Sequence, residues 1–267
     1  MADLRPIGVF DSGLGGLTVV KALRNILPNE SIVYFGDTAR VPYGNKSQEL
    51  IQEYSREITH FLIKNDAKLI VVACNTASAL ALNELQSNTS IPVIGVIDPG
   101  AAEAVKATNN NNIGIIGTVA TISSKAYEIA LIRINKDIQT ISHACPLLVP
   151  LAEEGWLAGD VVNAIVKHYI SPLNDKKIDT LILGCTHYPL LKDVISKQVS
   201  NGTVLIDSAA AVARAIKVKL LEINQLNNCN ELGTLSCFVT DIPMRFELVG
   251  QRFLGAPMDH VQTVHEI

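Results

Sequence analysis

The stretch Lys68-Leu-Ile-Val-Val-Ala-Cys-Asn-Thr76 decides how the first half of this chain folds. Its apolar run has the length of a buried β-strand, and the polar residues after Cys74 are typical of a helix N-terminus. The stretch Thr180-Leu-Ile-Leu-Gly-Cys-Thr-His187 repeats this arrangement in the second half, with Cys185 at the strand end. Because a helix N-terminus stabilises negative charge, each thiol lies where it can become a thiolate.

Short apolar runs alternate with segments of helical spacing along the chain. This alternation indicates parallel sheets covered by helices, an α/β fold. After the last strand we expect a helical end that packs back on the first half. The patterns predict strands at 7–10, 31–35, 69–73, 91–97, 180–184, 203–206 and 237–240, and a segment of strand-turn-helix character at 112–118. They predict helices at 17–27, 47–65, 76–85, 190–199 and 209–221.

The pattern restarts near the middle of the chain. An Ile-Gly pair occurs at Gly8 and again at Gly114. The number of positions between these two glycines is nearly the same as that between Cys74 and Cys185. Two landmarks at similar offsets suggest two similar three-layer α/β domains with mostly parallel sheets, facing each other across a central cleft. We expect a discontinuous first domain, residues 1–98 plus 208–267, around a second domain, residues 99–207.

Composition excludes several classes of protein. The chain has 267 residues, of which 48% are hydrophobic and 18% charged, so it can bury a substantial core. A formal net charge of −4 and 5% aromatic residues give no sign of a nucleic-acid surface. No apolar run is long enough to span a membrane, and no signal-peptide pattern is visible. Five cysteines without an export signal predict reduced thiols in the cytoplasm.

The segment Asp11-Ser-Gly-Leu-Gly-Gly16 follows the first strand and precedes a helix. Its glycines would let a ligand approach backbone amides at the helix start. A dinucleotide fingerprint would need glycine at Thr18, and a Walker lysine is missing, so nucleotide binding is the weaker interpretation. A tight structural turn in which Asp11 caps the helix is equally compatible with these residues.

Other polar clusters follow strands. The loop 36–44 lies where parallel sheets bind ligands, and His187 stands two positions after Cys185. Zinc would need further ligands at recognisable spacing, so no metal site is predicted. Glu153 and Glu154 could orient a histidine, bind an ammonium group or start a solvated helix. The remaining cysteines, Cys145, Cys229 and Cys237, receive no role.

Taken together, these motifs resemble the aspartate/glutamate racemase superfamily. The resemblance spans positions 8 to 190, and the segment after about residue 225 adds little to it. It is carried by Gly8-Val-Phe-Asp-Ser-Gly-Leu-Gly-Gly-Leu-Thr18, Tyr34-Phe-Gly-Asp-Thr-Ala-Arg-Val-Pro-Tyr-Gly44, Val72-Ala-Cys-Asn-Thr-Ala-Ser78, Cys145-Pro-Leu-Leu-Val-Pro150 and Gly184-Cys-Thr-His-Tyr-Pro-Leu190.

The resemblance implies interconversion of L- and D-glutamate without a cofactor, which supplies D-glutamate for peptidoglycan and cell shape. It implies a cytoplasmic homodimer that acts on a small molecule, without nucleic acid, membrane or metal. Cys74 and Cys185 would be the catalytic bases, assisted by Asp11 and His187 and by Glu153, or by its neighbour Glu154. The implied substrate-binding positions are Asp11, Ser12, Tyr43, Gly44, Asn75, Thr76, Thr118, Thr186 and His187.

Two thiols suit this chemistry because one can remove the Cα proton while the other delivers a proton to the opposite face. A free thiol has a pKa near ~8.5, so we expect the helix N-terminus and polar neighbours to lower the pKa of the attacking thiol. The nearest alternative is the same reaction on aspartate. A non-catalytic amino-acid-binding module and a cysteine hydrolase that uses Cys185 and His187 are alternatives from other classes.

Overall fold

The computed structural model describes residues 3–258 and 261–265, and its strands form two parallel sheets with helices on both sides. The predicted α/β fold is thereby confirmed. In chain order the strands are β1 (Ile7–Asp11), β2 (Ile32–Gly36), β3 (Leu69–Val72), β4 (Val93–Gly95), β5 (Asn112–Gly117), β6 (Gln139–Ala144), β7 (Thr180–Gly184), β8 (Val204–Ile206), β9 (Leu235–Val239) and β10 (Val261–Thr263).

The helices fill the connections between these strands, as a parallel sheet requires. Short 3₁₀ turns at Tyr43–Asn45 and Tyr188–Leu191 complete the secondary structure of the described residues. The helices are α1 (Leu17–Ile26), α2 (Gln48–Lys64), α3 (Asn75–Leu80), α4 (Leu82–Asn88), α5 (Ile97–Ala107), α6 (Val119–Ser123), α7 (Ala126–Ile134), α8 (Leu148–Glu153), α9 (Asp160–Asn174), α10 (Lys192–Gln198), α11 (Ser208–Glu222) and α12 (Pro243–Leu254).

The first sheet has the strand order β10-β9-β2-β1-β3-β4, and the second has the order β6-β5-β7-β8. Central strands β1, β3 and β7 are buried along their whole length, which explains their continuous apolar sequences. The strand that precedes Cys74 and the strand that precedes Cys185 therefore belong to different sheets. The division into domains 1–98 plus 208–267 and 99–207 remains a prediction. Helices α5 and α11 pack against each other at the junction of the two proposed domains.

One apolar cluster continues from the first sheet to the second. It contains Val9 and Val71 of the first sheet together with Ile115 and Ile182 of the second, and all four are fully buried. Two smaller clusters cover the outer faces of the sheets, one beneath α2 and the other beneath α9. The two halves therefore share their largest core.

Several predicted elements differ from the structure. The strand expected at 91–97 covers only Val93–Gly95, and residues 98–100 form the first turn of α5 rather than a turn after a strand. Pro99 fits there because the first helical turn does not use its missing N–H group. The single helix expected at 76–85 is divided at Ala81 into α3 and α4. Edge strands β6 and β10 were not predicted.

A buried ion pair fastens the chain at the amino-terminal end of β3. Lys68 Nζ lies 2.6 Å from Glu30 Oε2, and the two side chains are 0% and 1% exposed. The ammonium group also donates to the carbonyl oxygens of Asp3 at 2.7 Å and Gln225 at 2.8 Å. Glu30 Oε1 accepts a hydrogen bond from the backbone of Asn227 at 2.8 Å. These contacts hold the loop after α11 against the start of the chain.

Candidate active site

The carboxyl ends of strands β1, β2, β3, β5 and β7 carry most of the predicted site residues. Cys74 begins the helical turn after β3, and its Sγ donates to Ser12 Oγ at 3.8 Å. Burial raises the pKa of the Cys74 thiol to about 12, and the negative charge of Asp11 acts in the same direction. The expected lowering of this pKa is therefore wrong for Cys74, since desolvation outweighs the effect of the short helix α3.

Cys185 is the first member of a chain of polar contacts in the second half. Its Sγ lies 3.8 Å from His187 Nδ1, and His187 Nε2 lies 3.0 Å from Glu153 Oε1. Burial disfavours a charged imidazole, but the contacts with Cys185 and Glu153 outweigh burial and raise the pKa of His187 to about 10. At neutral pH His187 is thus an imidazolium between the Cys185 sulfur and the Glu153 carboxylate.

The structure distinguishes the two adjacent glutamates that the sequence left open. Burial opposes ionisation of Glu153, yet its hydrogen bond with His187 lowers the pKa of the carboxyl. The Glu154 side chain is 65% exposed, and its carboxylate pairs with Arg245 at 2.8 Å. Of the two, Glu153 is therefore the carboxylate in contact with His187.

Asp11 connects the two halves of the site. Its carboxylate is fully buried and accepts two hydrogen bonds, one from the backbone N–H of Gly13 at 2.9 Å and one from the Thr186 hydroxyl at 3.3 Å. Burial raises the pKa of Asp11, although the positive charge of His187 and these hydrogen bonds act against the rise. Asp11 at the end of β1 is thus in contact with the residue that follows Cys185.

The glycines after Asp11 allow the halves to approach each other. A Cβ atom on Gly15 would lie 2.1 Å from Thr186 Oγ1 and 2.6 Å from His187 Nδ1. A Cβ atom on Gly44 would lie 2.7 Å from Thr118 Cβ. Both positions therefore need glycine for close contact across the cleft. For Gly15, this contact gives the glycine turn a structural role other than phosphate binding.

The loop after β2 contains an ionic network that sequence reasoning missed. The buried Asp37 carboxylate accepts from the Tyr43 hydroxyl, from Arg40 Nε at 2.7 Å and from Thr240 Oγ1 at 3.1 Å. Arg40 also pairs with Glu57. Asp37 and Arg40 belong to the motif at 34–44. Their opposite charges within this loop were the sequence signal that could have revealed the network. The network fixes Tyr43 and Gly44 beside the cleft.

Hydroxyl groups from both halves meet beside Cys74. Thr76 Oγ1 lies 3.0 Å from Thr118 Oγ1 and 3.3 Å from Thr121 Oγ1, and the last two are 2.9 Å apart. Asn75 is buried, and its Oδ1 accepts the Tyr127 hydroxyl at 2.7 Å. Thr121 and Tyr127 were not predicted from the sequence, because neither belongs to a motif at a strand end.

A cavity of about 420 Å³ opens between these groups. Ser12, Gly44, Thr118, Glu153 and His187 line it together with apolar side chains of the segment 146–150. A larger cavity of about 490 Å³ lies between α1 and residues 254–258 and contains none of the predicted site residues. The location of the polar groups, rather than cavity size, therefore identifies the candidate active site.

Within residues 3–258 and 261–265, no three His, Cys, Asp or Glu side chains are grouped closely enough to hold a metal ion. In the same part of the chain, none of the helices combines the length and hydropathy needed to cross a bilayer.

Comparison with known proteins gives a consistent result across the whole chain. The Asp/Glu/Hydantoin racemase family matches residues 14–216. A glutamate racemase of Geobacter metallireducens is 50% identical over 260 residues, which cover 97% of this chain and 96% of the relative. The crystal structure of a glutamate racemase from Francisella tularensis in complex with D-glutamate has a TM-score of 0.92 at 44% identity, covering 98% of each chain. A Bacillus anthracis glutamate racemase has a TM-score of 0.94 at 43% identity, covering 97% of each chain.

Proposed function

The chain belongs to the Asp/Glu/Hydantoin racemase family, and from this we propose that it interconverts L- and D-glutamate by moving a proton at Cα between two thiols. It is an isomerase that acts on a small amino acid. Its curated relatives are named glutamate racemases, and one related structure contains D-glutamate. The scheme uses no cofactor, so the side chains of the site must perform the proton transfer themselves.

One observation carries the proposal: the two thiols follow strands of different sheets, and the turns that hold them are linked by side-chain contacts. Cys74 donates to Ser12, and the neighbouring Asp11 accepts from Thr186, which follows Cys185. Cys74 and Cys185 are 5% and 7% exposed. Burial and the charge of Asp11 raise the pKa of Cys74, and a negative charge on Cys185 acts in the same direction. Inversion of a stereocentre needs a base on one face and an acid on the other, and this arrangement supplies both.

The surroundings of the thiols suit an exchange of roles. Cys74, with a pKa of about 12, is a neutral thiol at pH 7 and can donate a proton. The imidazolium of His187, 3.8 Å from the Cys185 sulfur, stabilises Cys185 as the thiolate that removes the Cα proton. Cys185 becomes a thiol in this step, and Cys74 donates its proton to the opposite face and becomes the thiolate. In the reverse direction Cys74 removes the proton, and Cys185 donates one. The hydrogen bond with Glu153 favours the charged form of His187 in both directions.

Removal of the Cα proton adds negative charge beside a carboxylate that is already charged. Hydroxyl and amide donors in a water-excluded cavity stabilise such charge more strongly than water does. Thr76, Thr118 and Thr186 provide hydroxyl groups at the junction of the halves, and Asn75 provides an amide. We assign these donors to the carboxylates of glutamate. Tyr43, Gly44 and Ser12 complete the enclosure on the side of the loop after β2.

In the cell, this reaction would supply D-glutamate for peptidoglycan synthesis in the cytoplasm, with the enzyme as a homodimer. The resemblance to the superfamily supports this assignment of compartment and assembly. Light scattering of the purified chain tests the dimer, and the requirement of a depleted strain for external D-glutamate tests the cellular role.

The reaction is tested by incubating the purified chain with L-glutamate in D₂O. We expect loss of optical rotation together with deuterium at Cα, without any added cofactor. A cysteine hydrolase that uses Cys185 and His187 would leave Cα unlabelled and form a trappable acyl-enzyme. Faster turnover of aspartate than of glutamate would contradict the assigned substrate.

The roles of the thiols are tested by Cys74→Ser and Cys185→Ser. A serine hydroxyl is a far weaker acid than a thiol, so we expect each variant to lose at least about a hundredfold in kcat. Cys229→Ser is the matched control, because Cys229 is a partly exposed free cysteine in the loop after α11. Near-normal turnover in both active-site variants would refute the two-thiol scheme.

A further inference from the structure

Tyr127 occupies the junction between the two thiol-bearing turns. The ring belongs to α7 of the second half and is 1% exposed. A Cβ atom on Gly184, which precedes Cys185, would lie 3.1 Å from Tyr127 Cε2, so the ring packs directly against that turn. The Tyr127 hydroxyl donates to Oδ1 of Asn75, which follows Cys74, at 2.7 Å. One side chain thus contacts the turns of both sheets.

The hydrogen bond determines which end of the Asn75 amide is free. An amide carries an acceptor oxygen and a donor NH₂ group on opposite sides, and Tyr127 occupies the oxygen. Asn75 Nδ2 is buried and has no hydrogen-bond partner among the described residues. A buried donor of this kind calls for an acceptor, and a carboxylate oxygen of the substrate provides one.

The Tyr127 hydroxyl can hold this orientation because it remains protonated. Burial raises the pKa of Tyr127, so the group is a donor throughout the physiological range. If the amide were flipped, its oxygen would face the negatively charged carboxylate and repel it. An unrestrained Asn75 would sample both orientations, and only one of them accepts substrate.

We propose that Tyr127 is a positioning residue that orients the Asn75 amide so that Nδ2 binds a carboxylate of glutamate. The inference rests on the proposed function and deepens it, since it assigns the determinant of carboxylate binding to a residue outside the strand-end motifs. The ring fills space between the halves, while the hydroxyl sets the orientation of the amide. Removal of the hydroxyl oxygen alone separates these two contributions.

The test is Tyr127→Phe, which keeps the ring and removes the hydroxyl. We expect KM for L-glutamate and for D-glutamate to rise about tenfold, equivalent to about 1.4 kcal/mol of binding, with kcat within threefold of the parent value. Tyr169→Phe is the matched control, because it removes a hydroxyl from another mostly buried tyrosine of the second half, and its KM should not change.

A double-mutant cycle with Asn75→Ala shows whether Tyr127 acts through Asn75. We expect KM of the double variant to equal that of Asn75→Ala alone, since no amide is left to orient. Tyr127→Phe with KM within twofold of the parent, or effects that multiply in the double variant, would overturn the inference. Absence of racemisation by the parent enzyme in the same assay would instead refute the proposed function.

Discussion

Replacement of Lys68 by methionine would expose how much the fold depends on the buried pair at the start of β3. The pair lies 2.6 Å apart with both side chains essentially unexposed, so Lys68→Met leaves the Glu30 carboxylate buried without a counter-charge. Breaking such a pair from one side costs about 3–5 kcal/mol. Loss of the donor to the carbonyls of Asp3 and Gln225 acts in the same direction.

The reciprocal change should cost less. Glu30→Gln keeps an acceptor for the Asn227 backbone, and Lys68 keeps two carbonyl partners, so we expect roughly half the loss. The double variant Glu30→Gln/Lys68→Met should be more stable than Lys68→Met alone, because no unpaired charge remains. For a chain of this length, about 3–5 kcal/mol corresponds to a fall in Tm of roughly 6–10 °C.

Urea unfolding followed by circular dichroism measures these differences. Activity at low temperature serves as the control, since Lys68 lies at the opposite end of β3 from Cys74, and kcat should be unchanged in folded protein. A loss below about 1 kcal/mol for Lys68→Met, or strict additivity in the double variant, would refute the reasoning.

Three further outcomes are expected. Gly15→Ala places a methyl group 2.1 Å from Thr186 Oγ1, so kcat/KM should fall about a hundredfold, and an unchanged value would show that the halves can separate at no cost. Glu153→Gln should lower the pKa of His187, as measured by NMR titration, whereas the surface control Glu154→Gln should leave it unchanged. Equal shifts in the two variants would contradict the assignment of Glu153 as the partner of His187. The pKa of His187 in the folded protein is raised to about 10, so the charged imidazole contributes fully to stability below about pH 6.5. This contribution is lost as the pH rises towards 10. The slope of Tm against pH between these values should therefore flatten in His187→Gln.

The sequence predicted the strands that carry the thiols because they are buried on both faces. Such strands read as continuous apolar runs, and the polar residues at their ends are then prominent. The strand at 91–97 was overextended for the same reason, since Val96 and Ile97 are apolar but belong to the start of a helix. Composition alone does not distinguish a buried first helical turn from a buried strand.

Contacts between distant segments were beyond sequence reasoning. The contact of Asp37 with Thr240 joins loops separated by some two hundred positions, and no local pattern encodes it. The choice between Glu153 and Glu154 depended on the direction of a side chain at the end of α8. The rise in the pKa of Cys74 depended on the extent of desolvation, which follows only from tertiary packing.

The apolar cluster that runs from Val9 to Ile182 has a consequence for engineering this chain. A fragment limited to residues 99–207 would present the second-sheet part of the cluster to water and would be prone to aggregate. Split reporters or permuted chains should therefore be cut in surface loops rather than between the halves. The segment 228–232, which is solvent-exposed apart from the partly exposed Cys229, offers such a place.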